Sequence, residues 1–464
     1  MRFWRWAMLL FALVVILPLV FIPAEFGFSL DDGTISAKQL EADKEETEEG
    51  MFLVLEVYYL LFLFLNIYPY LVLVLWSTSS RVVDNLKRSK KEKVDERGPD
   101  LFGKKKFPDI TILIPCYNEG MHIGNAVKSA FKQVYRGSIE IIVVDDGSMD
   151  NTYSIGRIFR MSTESRSVKI VHKNNGGKAS ALKTGIEKAS GKILIMTDGD
   201  SGMDRNAVSN IVNTFRRYPD AAIVGGFVSV KNTHSGYLTV LQQLEYMITQ
   251  HLIRTNQNDD GSVLIAPGPI FGIRGDIAKL YPPLDRTLVE DCDLTMSVLP
   301  SGYTTRSTHR SVSNTNAPET WRDWFRQRRR WIYGQFQAWR ENKWHLRRNP
   351  WGLFTYFTWV STSLSSMLLL GTLMVSASLI GYGSSYYALF EFISVRTFLI
   401  FSIYLLTRGL ILLSYPQSRK YIHYLPLKVL YDLVNGFLTT YLYIRYITGT
   451  GVRMSWGHRS EVVH

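Results

Sequence analysis

Between residues 109 and 201 the sequence repeats one pattern, a short and continuously apolar run closed by polar residues, then a stretch with helical spacing. The apolar runs are ITILIPCYNE, IEIIVVDDGS, VKIVHKNNGG and KILIMTDGDS; the helical stretches are 123–135, 152–161 and KASALKTGIEKAS. A strand without polar alternation is buried on both faces, as a parallel strand covered by helices must be. Strands alternating with helices predict a doubly wound α/β sheet. Such sheets bind ligands beyond the carboxyl ends of their strands. Tyr117, Asp145, Asp146, Asp198 and Asp200 all fall at those ends. Further strands are expected over 221–231 and 263–274, and a helix over 237–255.

The chain has 464 residues, 46% of them hydrophobic, which is room for this domain and several membrane helices. Apolar segments at 4–22 and 51–76 flank residues 24–50, which hold nine acids against Lys38 and Lys44. Residues 81–106 hold ten Lys/Arg against five acids. Basic flanks stay on the cytoplasmic side. Residues 1–80 therefore read as a transmembrane hairpin with an acidic outer loop, 81–108 as a basic cytosolic linker, and 109–319 as a cytosolic domain. Arg2 and Arg5 precede the first apolar run with no small-x-small cleavage site, so that run is read as a retained anchor. Residues 320–345 form a helix rich in Arg and Trp; with nine Lys/Arg between 322 and 348 it reads as an interfacial amphipathic helix, within a segment 320–350. Residues 351–448 read as further membrane or interfacial helices, with apolar stretches at 352–381, 387–414 and 425–448.

The formal charge of +12 is thus explained by orientation and lipid contact. No zinc finger, helix-turn-helix or other nucleic-acid signature accompanies it. Cys116 and Cys292 are the only cysteines, and without a CxxC spacing they indicate neither a disulfide framework nor a zinc site. That suits a reducing cytosol.

Four clusters carry candidate chemistry, each with a plainer alternative. Asp198 and Asp200 flank Gly199 after a strand; they form either a turn or a site for Mg²⁺ or Mn²⁺ shared with phosphate oxygens. Asp145 and Asp146 precede Gly147-Ser148 and either cap a turn or accept hydrogen bonds from a nucleotide. Glu290 and Asp291 either begin a helix, where acids are favoured, or supply a general base. Lys178 follows Asn174-Asn175-Gly176-Gly177 at a helix start, as a surface lysine or as a cation for phosphate. Histidines 122, 172, 234, 251 and 309 lack metal-ligand spacing and read as structural.

Taken in order, PCYNE, VVDDGS, NNGGKASALKTG, TDGD, VED and QRRRW, over residues 109–331, resemble the processive, membrane-integrated family 2 glycosyltransferases. Cellulose, chitin, hyaluronan and poly-N-acetylglucosamine synthases are of this kind. The resemblance implies an α/β GT-A (Rossmann-like) catalytic domain joined to an α-helical transmembrane region with interfacial helices. It implies a UDP-sugar donor and Mg²⁺ or Mn²⁺. Tyr117, Glu119, Asp145, Asp146 and Lys178 would form the donor site with Asp198, Gln327 and Arg330. Asp198 and Asp200 would hold the metal; Asp291, with Glu290, would be catalytic. Trp331 would meet the acceptor sugar, as would Gly268 and Pro269 in APGPIFGIRG. The residue types suit these roles: arginine offers diphosphate a permanently charged planar fork, and an indole offers a sugar ring a flat apolar face. Arg328 and Arg329 are left to a basic collar at the membrane surface.

In the tail 449–464, Trp456-Gly457-His458-Arg459 resembles the WGTR segment of hyaluronan and chitin synthases, with His458 in place of threonine. In those relatives the segment is a cytosolic gating loop, which makes Trp456 and Arg459 candidate gating residues. Three full spans after residue 350 would put this tail outside; 425–448, with Pro426, Lys428 and Asp432, is therefore read as interfacial or re-entrant. The expected activity is an inverting, processive synthesis of a β-linked polysaccharide containing N-acetylhexosamine, with translocation across a plasma membrane. UDP-GlcNAc is the first donor expected. Expected partners are the growing polymer, the bilayer and a small membrane accessory subunit or a second copy, with no nucleic acid. The alternative is a non-processive membrane enzyme that adds one sugar to a lipid carrier.

Overall fold

The structure, a computed structural model, describes residues 107–346, 408–413 and 416–449 and a few isolated positions. The spans expected at 4–22, 51–76 and 352–381, most of 387–414, and the WGHR segment lie outside the described residues. By internal contacts the chain divides into two units. One comprises Leu73–Thr355, Ile411–Lys428 and Leu442–His464 and contains every described candidate site residue. The other comprises Met1–Val72, Tyr356–Leu410 and Val429–Tyr441. Among the described residues no helix is long and apolar enough to cross a membrane.

The elements follow the expected alternation. In chain order they begin β1 (Ile110–Cys116), α1 (Ile123–Phe131), β2 (Ile139–Asp145), α2 (Thr152–Ile158), β3 (Met161–Ser162), β4 (Arg166–His172), α3 (Gly177–Lys188), β5 (Ile193–Met196) and β6 (Gly202–Met203). There follow α4 (Ala207–Arg217), β7 (Ala221–Val230), α5 (Tyr237–Thr249), a π-helical turn (Gln250–Arg254), α6 (Thr255–Asp260), β8 (Phe271–Arg274) and α7 (Gly275–Leu280). The last are α8 (Glu290–Val298), β9 (Thr304–Thr315), α9 (Trp321–Leu346) and α10 (Leu425–Ile447).

The strands make one sheet in the order β3-β4-β2-β1-β5-β8-β7-β9-β6. Strands β4, β2, β1 and β5 are mutually parallel. The side chains of β1 divide by parity between two cores, as the two-residue strand period requires. Ile110, Ile112 and Ile114 face α1 and α4, where Val127, Ile211 and Phe215 meet them. Leu113 faces the other way, to Leu182 and Ile186 of α3 and Leu294 of α8. Both faces are therefore covered, and the unbroken apolar runs have their explanation.

Two features differ from expectation. The sheet is mixed, because β8 runs antiparallel to both β5 and β7. The strand expected over 263–274 is reduced to Phe271–Arg274. Pro267 and Pro269 have no N–H to give a ladder, and side chains take the preceding amides instead. Leu264 N donates to Gln257 Oε1 at 3.3 Å and Ala266 N to Thr295 Oγ1 at 3.1 Å. Residues 264–270 thus become a loop that crosses the carboxyl edge of the sheet.

Candidate active site

The loops after β1 and β2 form one surface through reciprocal hydrogen bonds. Asn118 takes a left-handed conformation (φ 54°), which asparagine tolerates. Its amide donates to Ser148 Oγ at 2.9 Å, and its Oδ1 accepts from Met149 N at 2.9 Å. Glu119 N donates to Thr152 Oγ1 at 2.7 Å, and Gly120 N to Asp150 Oδ2 at 3.0 Å. Tyr117 and Glu119 are half-buried on this surface.

Asp145 and Asp146 are both fully buried, and protein groups engage them. Asp145 Oδ2 lies 2.5 Å from His172 Nδ1, and its Oδ1 accepts from Ser148 N at 3.2 Å. Asp146 Oδ1 accepts from Lys173 Nζ at 2.7 Å, and its Oδ2 from Gly177 N at 2.7 Å. Asp146 therefore anchors the NNGG loop from which Lys178 projects. Gly147 (φ 76°) is needed where these loops meet, since a Cβ there would sit 2.7 Å from Asn175 N.

Lys178 is the centre of the site. Its Nζ is 2.7 Å from Asp198 Oδ1 and 2.7 Å from Glu290 Oε1, with the lysine side chain 15% exposed. Burial opposes its charge, but Asp198, Glu290 and Asp291 outweigh burial, and its pKa is raised. Pro115, Leu182, Met196 and Phe271 wall the cluster, and the low polarity they impose strengthens each pairing. Helix α8 opens at Glu290, so both acids sit in its first turn, where the helix dipole favours negative charge. Asp291 Oδ2 accepts from Gly268 N at 2.6 Å, and Oδ1 from Cys292 N at 2.8 Å. Burial and the neighbouring Glu290 nevertheless push the Asp291 carboxyl up to about 6, with Lys178 opposing.

The loop 264–270 brings Gly268 into this cluster. A Cβ built there would lie 3.1 Å from Lys178 Nζ and 3.2 Å from Asp291 Oδ2. Gly268→Ala is expected to push the amine and carboxylate apart and lower kcat/KM by about ten- to a hundredfold, the scale of an ångström-size misplacement. Steady-state kinetics on the purified variant measure this; kcat/KM equal to wild type would contradict it. Pro269 is half-buried, and its carbonyl accepts from Thr197 Oγ1 at 3.0 Å, which ties the loop to the end of β5.

Asp198 and Asp200 suit a hard divalent cation. Asp198 Oδ1 pairs with Lys178, and Asp200 Oδ1 accepts the neutral Ser201 hydroxyl at 2.9 Å. Among the described residues no group of three His, Cys, Asp or Glu is placed to hold a metal. Two carboxylates completed by donor phosphates is the arrangement such ions accept.

QRRRW lies on α9, and polar bonds tie α9 to α8. Leu288 N donates to Gln337 Oε1 at 3.0 Å, and Asn342 Nδ2 to Asp293 Oδ1 at 2.8 Å. Asp293 also receives Arg286 bidentately at 2.7 and 2.9 Å, which makes it a brace for α8. Trp331 packs on the cluster of Leu264, Val289, Cys292, Met296 and Ala338, beside the Asp291 helix. Among the described residues Gln327 Oε1 is buried without a hydrogen-bond partner, an acceptor suited to a donor group of a ligand. Arg330 is half-buried on the same helix.

Arg328 corrects the collar expectation: it is 4% exposed and bonds Glu245. The partner escaped sequence reasoning because Glu245 is remote, on α5, with no motif of its own. Arg254 was also missed. It closes the π-helical turn, half-buried, and feels both Asp291 and Cys292; burial lowers its pKa to about 10. A π-turn is itself a marker of functional sites, but no residue pattern announces one. Helix α4 did have a legible apolar stripe, Val208, Ile211, Val212 and Phe215, all buried. Strand β9, TTRSTHRSVSNT, is polar, and tertiary pairing decides it.

Residues 111–280 match the family model described as Glycosyl transferase family 2. The probable glycosyltransferase YdaM of Bacillus subtilis (strain 168) is 31% identical over 234 residues, covering 50% of this chain and 56% of that protein. An N-acetylglucosaminyltransferase of Azorhizobium caulinodans is 28% identical over 289 residues, covering 60% of this chain and 72% of that protein. The chain thus spans between about half and three quarters of the length of these relatives. Among solved structures, the mannosyltransferase PcManGT from Pyrobaculum calidifontis, in complex with GDP-Man and Mn²⁺, aligns with a TM-score of 0.51. The match is 18% identical and covers 83% of this chain and 99% of that one, a likeness of fold.

Proposed function

We propose that the chain, whose residues 111–280 match the family 2 glycosyltransferase model, is a nucleotide-sugar-dependent transferase that polymerises a β-linked polysaccharide from a UDP-sugar. The observation that carries this reading is the Asp291 carboxyl. It is held in place by Gly268 N and Cys292 N, raised to about 6, and set beside the cationic Lys178. A carboxylate with a pKa just below neutrality is suited to take a proton from a hydroxyl.

In this mechanism Tyr117 and Glu119 line the nucleoside side of the site, and Asp146 holds the loop that aims Lys178. Lys178 and Arg330 lie against the diphosphate, where permanent positive charge stabilises the leaving group. A bound Mg²⁺ or Mn²⁺, held by Asp198 and Asp200, would supply further neutralisation of that diphosphate. Asp291 accepts the proton of the acceptor hydroxyl as its oxygen bonds to the anomeric carbon. The bond from that carbon to the phosphate oxygen breaks, UDP departs, and an α-linked donor yields a β-linkage. Trp331 offers its face to the acceptor ring, and Gln327 its side-chain carbonyl to the ligand.

The names of several relatives, N-acetylglucosaminyltransferases of Azorhizobium, Rhizobium meliloti and others, favour UDP-GlcNAc as the donor. Processivity and export rest on QRRRW, which precedes the apolar stretch 352–381 in the sequence. The test incubates purified protein with UDP-GlcNAc, UDP-glucose or UDP-glucuronic acid and Mn²⁺, and sizes products by mass spectrometry. A ladder of N-acetylglucosamine oligomers is expected. Single-addition products would replace this reading with transfer to a lipid carrier.

A further inference from the structure

Arg328 is set apart from the other arginines of α9. Arg322 and Arg340 are exposed, whereas Arg328 is 4% exposed. Its Nη2 donates to Glu245 Oε2 on α5 at 2.7 Å. Its guanidinium lies 4.6 Å from the ring centroid of Trp331, 5.6 Å from Trp324 and 5.8 Å from Tyr246. The Tyr246 ring stands 6.1 Å from Trp331, so Glu245 and Tyr246, adjacent on α5, both bear on this group. Residues three apart on a helix share a face, which is how Arg328 comes to lie over Trp331. The indole is therefore held by Arg328 and Tyr246 and by its packing on the apolar cluster containing Cys292 and Val289.

We propose that the Glu245–Arg328 pair is a positioning device that fixes the Trp331 indole for the acceptor sugar. A tryptophan that only packs needs no buried cation above it. Removing arginine from water is costly unless it is paired, and Glu245 supplies the pair. Planarity matters as well: a guanidinium can stack on an indole while bonding a carboxylate in its own plane, and an ammonium cannot. Burial together with Glu245 also raises the Tyr246 hydroxyl, to about 12, so a neutral phenol lies beside the pair. Arg328 thus acts through Trp331 as a positioning residue. The assignment rests on the reading that Trp331 faces the acceptor.

The test uses the full chain and the variants Arg328→Met, Arg328→Lys, Glu245→Gln and the double variant Glu245→Gln/Arg328→Met. The acceptor is a short β-linked N-acetylglucosamine oligosaccharide. Arg328→Met should raise the acceptor KM by roughly ten- to a hundredfold, as displaced positioning groups do, with UDP affinity by calorimetry essentially unchanged. The double variant should be no worse than Arg328→Met alone, since both remove one device. Arg328→Lys should recover little, because it restores charge without a stacking plane. A second readout does not depend on turnover. In 5-fluorotryptophan-labelled protein, the Trp331 fluorine resonance, assigned with Trp331→Phe, should shift in Arg328→Met and in Glu245→Gln. An unmoved resonance in folded variants overturns the proposal, as does equal loss of UDP and acceptor affinity. If the unaltered chain transfers no sugar, the functional reading fails and the fluorine spectra alone decide the positioning role. If Arg328→Met does not fold, Glu245→Gln and Arg328→Lys carry the same readouts.

Discussion

Replacing Asp291 with asparagine is expected to lower turnover by about 10²–10⁴-fold, the usual worth of a general base, with UDP affinity held within about twofold. Asparagine keeps the shape and one acceptor oxygen, so one of the two amides, Gly268 N or Cys292 N, keeps its partner. The proton acceptor is gone. The same residue sets a pH dependence. Burial and Glu290 raise the Asp291 carboxyl to about 6. Below that pH it carries a proton and cannot take another from the acceptor hydroxyl. The turnover of the unaltered chain should therefore fall as pH drops through about 6 and level off above it. The residual activity of Asp291→Asn should lack that acid limb. Rates at saturating donor across this range, on both proteins, decide the matter. A variant that retains full turnover, or a wild-type rate flat through pH 6, would remove Asp291 from the role of base.

The second large effect is predicted at Lys178. Its Nζ is the counter-ion of Asp198 and Glu290, whose side chains are 26% and 7% exposed. Lys178→Met leaves them facing each other and Asp291 in an apolar-walled site. Breaking a buried pair from one side costs about 3–5 kcal/mol, which for a domain of this size lowers the melting temperature by roughly 10 °C. Donor binding should be lost as well, since the cation for the diphosphate has gone. The deficit should shrink as pH falls, because protonating the abandoned carboxylates relieves their repulsion. Lys178→Arg keeps the charge and should recover most of the stability. Thermal unfolding of the three proteins at neutral and acidic pH checks this. A melting temperature unchanged in Lys178→Met would show that the cluster has another counter-charge.

How far the site could be read in advance depended on what kind of signal each residue carries. Asp198, Glu290 and Lys178 sit at element ends that the sequence pattern predicts, and the structure brings each carboxylate to 2.7 Å from the one Lys178 amine. Asp145 and Asp146 also sit where expected, yet only the fold shows that His172, Lys173 and the Gly176 and Gly177 amides engage their carboxylates. The loop 264–270 read as a strand because its apolar residues are strand-like; its prolines and the side chains that take its amides made it the lid of the charged cluster. Arg328 looked like its neighbours in a basic run and differs from them only in what α5 places beside it.

The alternation of apolar runs and helical stretches determined, by itself, a parallel α/β core, the helices on both faces and the edge at which chemistry would sit; the strand order β4-β2-β1-β5 came from the fold. Those are consequences of local period, since strands buried on both sides must be apolar throughout and their ends must turn polar. The antiparallel insertion of β8, the long polar β9, the raised Asp291 carboxyl and the Glu245–Arg328–Trp331 contact were decided only in three dimensions. Each depends on groups far apart in the chain meeting where water is excluded, and burial and charge pairing have no period along a sequence.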